Sequence, residues 1–150
     1  LGDVYKRQLA DVTVEQGPLE LYPGSHLGPI FEHYDDQGVW TGAVREQDLA
    51  GAGPDGPIAV TGPAGTVSVH HSRTIHGSGQ NQSSQGRPVL VLTYSAADAI
   101  PYTAPAYPSS RYGVLVRGEE PGYAHHEELY VPMPPDWSDG YTSIFAHQEK

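Results

Sequence analysis

Cysteine is absent from all 150 residues, so neither a disulfide framework nor a thiolate metal site exists. Positive charge is scarce: 8 Lys and Arg stand against 18 Asp and Glu, a formal net charge of −10. That balance argues against nucleic acid or an anionic membrane as a partner. No apolar run approaches the roughly 18 residues that span a bilayer, and no secretory signal pattern is present. The expectation is a soluble, cytoplasmic protein with a small molecule as its partner; oligomeric state is left open. Methionine occurs once and phenylalanine twice, and only 37% of residues are hydrophobic. In their place stand 18 Gly, 14 Pro and 10 Tyr. This is the make-up of a loop-rich β protein and not of a helical bundle. The length suits one domain or part of one.

The opening "LGDVYKRQ" is the most basic stretch of an acidic chain and does not begin with Met. It resembles the translated end of a transposon used to build sequencing libraries. Residues 1–8 are therefore expected to be an adaptor artefact and are set aside from the fold reasoning. Residues 9–150 are expected to be the C-terminal portion of one domain.

Short alternating segments separated by turns recur along the rest. "PLELYPGSH" places Leu19 and Leu21 on one side, Glu20 and Tyr22 on the other, and stops at Pro23-Gly24. Residues 27–55 are polar and Gly-rich, with a short helix expected over 44–49. So long an excursion inside a domain has the character of a functional loop. "GPIAV" reads as a strand. In "TVSVHH", Val67 and Val69 face one way and Thr66, Ser68 and His70 the other. "RPVLVLTYSA" is nearly continuous and β-branched, as expected of a strand covered on both faces. From Ile100 onward, seven prolines and six tyrosines make an extended tail with little regular structure. Short strands and turns without repeats point to a sandwich or jelly roll.

Between two of these strands lies "RTIHGSGQNQSSQGR", residues 73–87. A neutral imidazole such as that of His76 is a common ligand for divalent transition metals. Gly77 and Gly79 leave room beside it. Arg87 opens the apolar strand, and period two puts it on the side of Val89, Val91 and Thr93. A guanidinium turned inward requires an anion, and its planar fork suits a carboxylate. Ser78 adds a hydroxyl. A histidine and an arginine on neighbouring strands suggest a metal-bound organic acid.

"VEQGPLELYPGSH", "HGSGQN", the eleven-residue step from His76 to Arg87 and the Tyr94-x-x-x-Asp98 spacing together resemble the phytanoyl-CoA dioxygenase family, a branch of the Fe(II)/2-oxoglutarate oxygenases. The resemblance covers most of residues 11–98 and, more loosely, "PPDWSDGYTSIF" in the tail. It implies a double-stranded β-helix, or jelly roll, here N-terminally truncated and followed by the Pro- and Tyr-rich tail. It implies iron on two histidines and one acid, with 2-oxoglutarate and O2 on the open positions. His76 matches the family's last metal-binding histidine. Arg87, assisted by Ser78, matches the arginine that grips the far carboxylate of 2-oxoglutarate. Asn81 matches a position expected to support the loop.

The family's metal site also needs a His-x-Asp or His-x-Glu pair. His33-Tyr34-Asp35 is the one His-x-Asp pair in the sequence. It follows the "PGSH" strand, whereas the family's pair precedes it, and it lies in a Gly-rich loop. The pair is therefore expected upstream of Leu9, and this chain is expected not to turn over by itself. A structural role is expected for His70, a turn or substrate-loop role for His26, and solvated surface for His125 to Glu128. Whether His33, Asp35 or His70 joins the site stays open on the residues alone. The resemblance implies a dioxygenase that hydroxylates a small organic or acyl substrate. The competing class is a cupin-like jelly-roll binding module without redox chemistry. The feature that separates them is Arg87 with Ser78, a carboxylate clamp that such a module does not need.

Overall fold

The computed structural model describes residues 2–53, 55–105, 109–127 and 130–138. Its strands are β1 (Gly2–Gln8), β2 (Leu19–Leu21), β3 (Ile58–Val60), β4 (Val67–His71), β5 (His76–Ser78) and β6 (Val89–Ser95). A single turn of helix, α1, covers Glu46–Leu49, shorter than the expected helix. The strands form two antiparallel three-stranded sheets, ordered β4-β1-β6 and β3-β2-β5. The chain divides into two compact units: Leu1–Ile30 with Gln47–Ser95, and Phe31–Glu46 with Ala96–Lys150.

All six strands belong to the first unit. The segment set aside in reading the sequence is the central strand of its sheet. β1 pairs with β4 from Asp3 to Arg7 and with β6 along its whole length. Val4 lies opposite His70 and Thr93, and Lys6 opposite Ser68 and Val91. Because side chains alternate along a strand, Lys6 and Gln8 share a face with Ser68, His70, Val89 and Val91. Tyr5, Val67, Val69, Leu90, Leu92 and Tyr94 take the other face, where Tyr5 and Tyr94 meet edge to face.

One expectation fails here. β6 is not covered on both sides: Leu90, Val91 and Leu92 are 45–47% exposed. In β4 it is the polar side that is enclosed, with Val69 53% exposed and His70 only 7%. The space between the sheets is thus lined by polar and cationic groups as much as by apolar ones. Among the described residues the buried apolar side chains are Val12, Leu19 and Ala52. Register with β1 fixes which side of β4 turns in, and alternation alone does not say which side that is.

The two sheets are tied by short connections. Gln8 Nε2 donates to the Val60 carbonyl at 3.2 Å. Val12 bridges Gly62, with backbone bonds of 2.8 and 3.1 Å. Gln16, buried, accepts from the Thr13 amide at 2.7 Å and reaches the Gly86 carbonyl at 3.5 Å. Gly17 has φ +58°, and a Cβ there would run into the Gly79 carbonyl, so glycine is required for both reasons. The Gln82 amide donates to the Glu15 carbonyl at 2.8 Å, seating the loop after β5 on the turn over 14–16.

In the second unit, Tyr34 and Trp40 pair as an antiparallel bridge. The Asp35 carboxylate accepts from the Gln37 and Val39 amides at 2.9 and 2.8 Å and holds that turn. Trp40 meets Trp137 edge to face at 5.1 Å, and the Tyr34 hydroxyl donates to the Met133 carbonyl at 2.9 Å. As expected of the tail, its described residues from Ile100 onward carry no helix or strand. Residues 139–145 of the tail motif, and Glu128 of the His125–Glu128 cluster, lie outside the described residues.

Candidate active site

β5 is only three residues long, and its two ends carry the site. His76 lies opposite Leu21 in β2, and Ser78 opposite Leu19, so both side chains occupy one face. The entry to β5 is held firmly. Buried Ser25, in the "PGSH" turn, donates to the Tyr22 carbonyl at 2.7 Å and accepts from the Ile75 amide at 2.8 Å. His26, expected in a turn or substrate-loop role, lies in the same turn, its ring 5.5 Å from that of His71.

His76 Nδ1 stands 2.8 Å from the Thr74 carbonyl. A carbonyl only accepts, so Nδ1 carries the proton and donates. In the neutral ring this leaves Nε2 as the free base, the arrangement typical of a metal-binding histidine. Desolvation lowers the pKa of His76; the Thr74 contact opposes this and the Lys6 charge adds to it. The imidazole therefore stays neutral at pH 7 and is available as a donor.

Arg87 stands two residues before β6, and its Nη2 donates to Ser78 Oγ at 3.0 Å. The pairing expected from the sequence is present, but the strands are not neighbours. β5 belongs to one sheet and β6 to the other. The ten residues between them cross from sheet to sheet, so the arginine meets the serine from the other sheet, in a contact open to solvent. Asn81 organises this crossing, donating to the Gln85 carbonyl at 2.7 Å and accepting from the Ser83 amide at 2.9 Å. These contacts are those of a loop-supporting residue.

Two further groups enter the same space. Lys6 is partly buried, and its ammonium is disfavoured first by desolvation and then by the neighbouring Arg87 charge. His70, from β4, places its ring centroid 4.9 Å from that of His76 at an interplanar angle of 58°. Burial, the His76 ring and Lys6 hold its pKa down at about 4, with Asp3 opposing. Neither ring nitrogen of His70 has a hydrogen-bond partner among the described residues.

The sequence reading did not place Lys6, because its segment was set aside. Its alternation put His70 on the face opposite Val67 and Val69, and the structure shows that this is the enclosed face. His33 and Asp35 belong to the second unit, where the Asp35 carboxylate is engaged in its own turn. Among the described residues, no group of three or more His, Asp or Glu side chains is placed to hold a metal.

The sequence pattern of the family described as phytanoyl-CoA dioxygenase (PhyH) matches residues 8–89. A protein of Stutzerimonas stutzeri named "Probable alpha-ketoglutarate-dependent hypophosphite dioxygenase" is 32% identical over 142 residues, 93% of this chain and 50% of that protein. An L-proline trans-4-hydroxylase of Streptomyces griseoviridis is 38% identical over 107 residues, 62% of this chain and 40% of that protein. The chain thus spans half the length, or less, of these two curated relatives. Among solved structures, EctD from S. alaskensis with bound Fe superposes with a TM-score of 0.52 at 28% identity, covering 65% of this chain and 32% of that one. The same protein with 2-oxoglutarate and 5-hydroxyectoine gives a TM-score of 0.51 at 28% identity, with the same coverage. With these neighbours, the two facing antiparallel sheets are those of the expected jelly roll.

Proposed function

The chain belongs to the phytanoyl-CoA dioxygenase family, and from that premise we propose that the whole protein is an Fe(II)- and 2-oxoglutarate-dependent dioxygenase. Its substrate in this reading is a small organic molecule, with acyl compounds as the other class. The observation that carries the reading is the 3.0 Å contact between Arg87 and Ser78, which joins the two sheets at a place open to water. A guanidinium and a hydroxyl converge there beside the Lys6 ammonium. Partly desolvated cations so close together favour an anion between them. The guanidinium fork matches a carboxylate, and the serine supplies a further donor.

His76 fits a divalent metal, with Nδ1 committed to the Thr74 carbonyl and Nε2 left as donor. A carboxylate completing the iron set is not found among the described residues, so the roles assigned here are metal donor and co-substrate anchor. When bound, iron supplies the oxygen activation that couples decarboxylation of 2-oxoglutarate to oxidation of the substrate. This chain's part is to fix the co-substrate's far carboxylate at Arg87 and Ser78, which directs its 2-oxo end away from the clamp. The names of the relatives, a hypophosphite dioxygenase and a proline hydroxylase, favour a compact polar substrate over a bulky one. A binding module without redox chemistry leaves the clamp unexplained.

The test is discrimination between 2-oxoglutarate and 2-oxobutyrate, which lacks the far carboxylate. Equilibrium binding to the chain should favour 2-oxoglutarate at least about tenfold, the worth of one charged hydrogen bond. Arg87→Ala should erase the preference. Equal affinity for the two acids in the unaltered chain overturns the assignment.

A further inference from the structure

We propose that His70 is a second anchor for 2-oxoglutarate: its ring N–H donates a hydrogen bond to the carboxylate beside the 2-oxo group, while Arg87 and Ser78 hold the other end. The inference rests on the reading of Arg87 and Ser78 as the far-carboxylate clamp given above, and it adds no ligand to the metal site.

Three observations carry it. First, His70 is 7% exposed, yet neither ring nitrogen has a hydrogen-bond partner among the described residues. A buried histidine with a purely structural role is held by hydrogen bonds, so this one lacks a partner that its position calls for. Burial first, then His76 and Lys6, lower its pKa to about 4. The ring is therefore neutral at pH 7, with one N–H donor and one acceptor nitrogen.

Second, the ring stands beside His76 but comes from the other sheet, with centroids 4.9 Å apart and planes tilted by 58°. No hydrogen bond joins the two rings. His76 spends its Nδ1 proton on the Thr74 carbonyl and has only a lone pair at Nε2, so it has no donor for a carboxylate. His70 has one.

Third, the spacing suits a diacid. His76 and Ser78 lie two residues apart on one face of β5, about 6.6–6.8 Å along the strand. Extended 2-oxoglutarate has four C–C bonds of about 1.5 Å and a carboxylate oxygen beyond each end, a comparable reach. A diacid gripped at Ser78 and directed along β5 toward His76 thus ends where the His70 ring stands. A hydrogen bond from a buried N–H to a carboxylate is charge-assisted and so among the stronger kind. The Lys6 ammonium interacts with Arg87 and with both histidines, so it favours an anion along the whole path and does not tell its two ends apart. The Asp3 carboxylate acts on His70 with the opposite sign.

The experiment measures binding of three acids to the metal-free chain by calorimetry. They are 2-oxoglutarate, 2-oxobutyrate and 4-oxopentanoate. The second lacks the far carboxylate; the third keeps the far carboxylate and the ketone but has a methyl group in place of the near carboxylate. The unaltered chain should prefer 2-oxoglutarate to 4-oxopentanoate at least about tenfold. His70→Phe, a flat ring without a donor, should lose most of that preference and keep the preference over 2-oxobutyrate. Arg87→Ala should do the reverse. His70→Gln, which has an amide donor, should retain part of what His70→Phe loses. Nitrogen NMR of the unaltered chain keeps the test open even if His70→Phe does not fold. The His70 ring signals, assigned as those lost in His70→Gln, should move with 2-oxoglutarate and stay in place with 4-oxopentanoate. An unchanged preference over 4-oxopentanoate in His70→Phe, or ring signals indifferent to 2-oxoglutarate, overturns the role of His70 and leaves the clamp in place. Both preferences falling together in His70→Phe marks a structural role and overturns it as well. No preference over 2-oxobutyrate in the unaltered chain overturns the clamp itself.

Discussion

Arg87 and Ser78 are joined by a 3.0 Å hydrogen bond although their strands lie in different sheets. In the proposed role, the bond pre-forms a two-residue clamp for a carboxylate. Ser78→Ala should weaken 2-oxoglutarate binding by about tenfold, at the low end for a hydrogen bond to a charged group because the pair is open to water. Arg87→Lys should restore only part of what Arg87→Ala loses, since an ammonium has no planar fork. Isothermal titration with 2-oxoglutarate measures both. An unaltered affinity in Ser78→Ala would remove the serine from the clamp.

Lys6 presents a trade between stability and binding. Its ammonium is partly desolvated and stands beside Arg87, both of which disfavour the charge. Lys6→Met keeps the length of the side chain and removes the charge. The unfolding free energy measured in urea should rise by no more than about 1 kcal/mol, below the range for fully buried ion pairs because Lys6 is only half buried. Affinity for 2-oxoglutarate should fall, because a cation near the carboxylate is lost. A lower midpoint would mean that Lys6 has a stabilising partner in solution.

Gly17 supports the loop that carries Ser78's neighbours. Its φ of +58° disfavours any other residue, and a Cβ would meet the Gly79 carbonyl. Gly17→Ala should destabilise the chain by at least about 1–3 kcal/mol, as for a non-glycine residue held in a sparse backbone region. The same substitution pushes on residue 79, so 2-oxoglutarate binding should weaken as well. Gly38→Ala is the comparison: it too has positive φ, but nothing lies within 4 Å of its added Cβ. It should change stability and leave binding alone. Loss of stability in Gly17→Ala with binding intact would separate that contact from the site.

Much of this architecture is legible in the residues. β2 shows in the alternation of Leu19 and Leu21 before Pro23-Gly24, and β4 and β6 show in their valines. The inward side of Arg87 follows from period two. Three things are not legible. Which side of β4 turns inward depends on its register with β1, and that strand lies in a segment excluded from the reading. Whether β5 and β6 neighbour each other depends on whether the intervening loop turns back or crosses, and composition does not distinguish the two. The exposure of β6 is the third, because a continuous apolar run has the same appearance whether or not anything packs on it. His33-x-Asp35 shows the converse: its spacing imitates a metal motif, whereas the carboxylate serves a local turn.

The central claim is that His76 and Arg87 hold two parts of one iron–2-oxoglutarate assembly. A 2-oxo acid chelated to Fe(II) gives a visible charge-transfer absorption that neither component gives alone, so the measurement is that absorption, recorded anaerobically as 2-oxoglutarate is added to the Fe(II)-loaded chain. The band should appear in the unaltered chain, be lost in His76→Ala, and require much more 2-oxoglutarate in Arg87→Ala. A band of unchanged intensity and unchanged 2-oxoglutarate dependence in both variants would contradict the account.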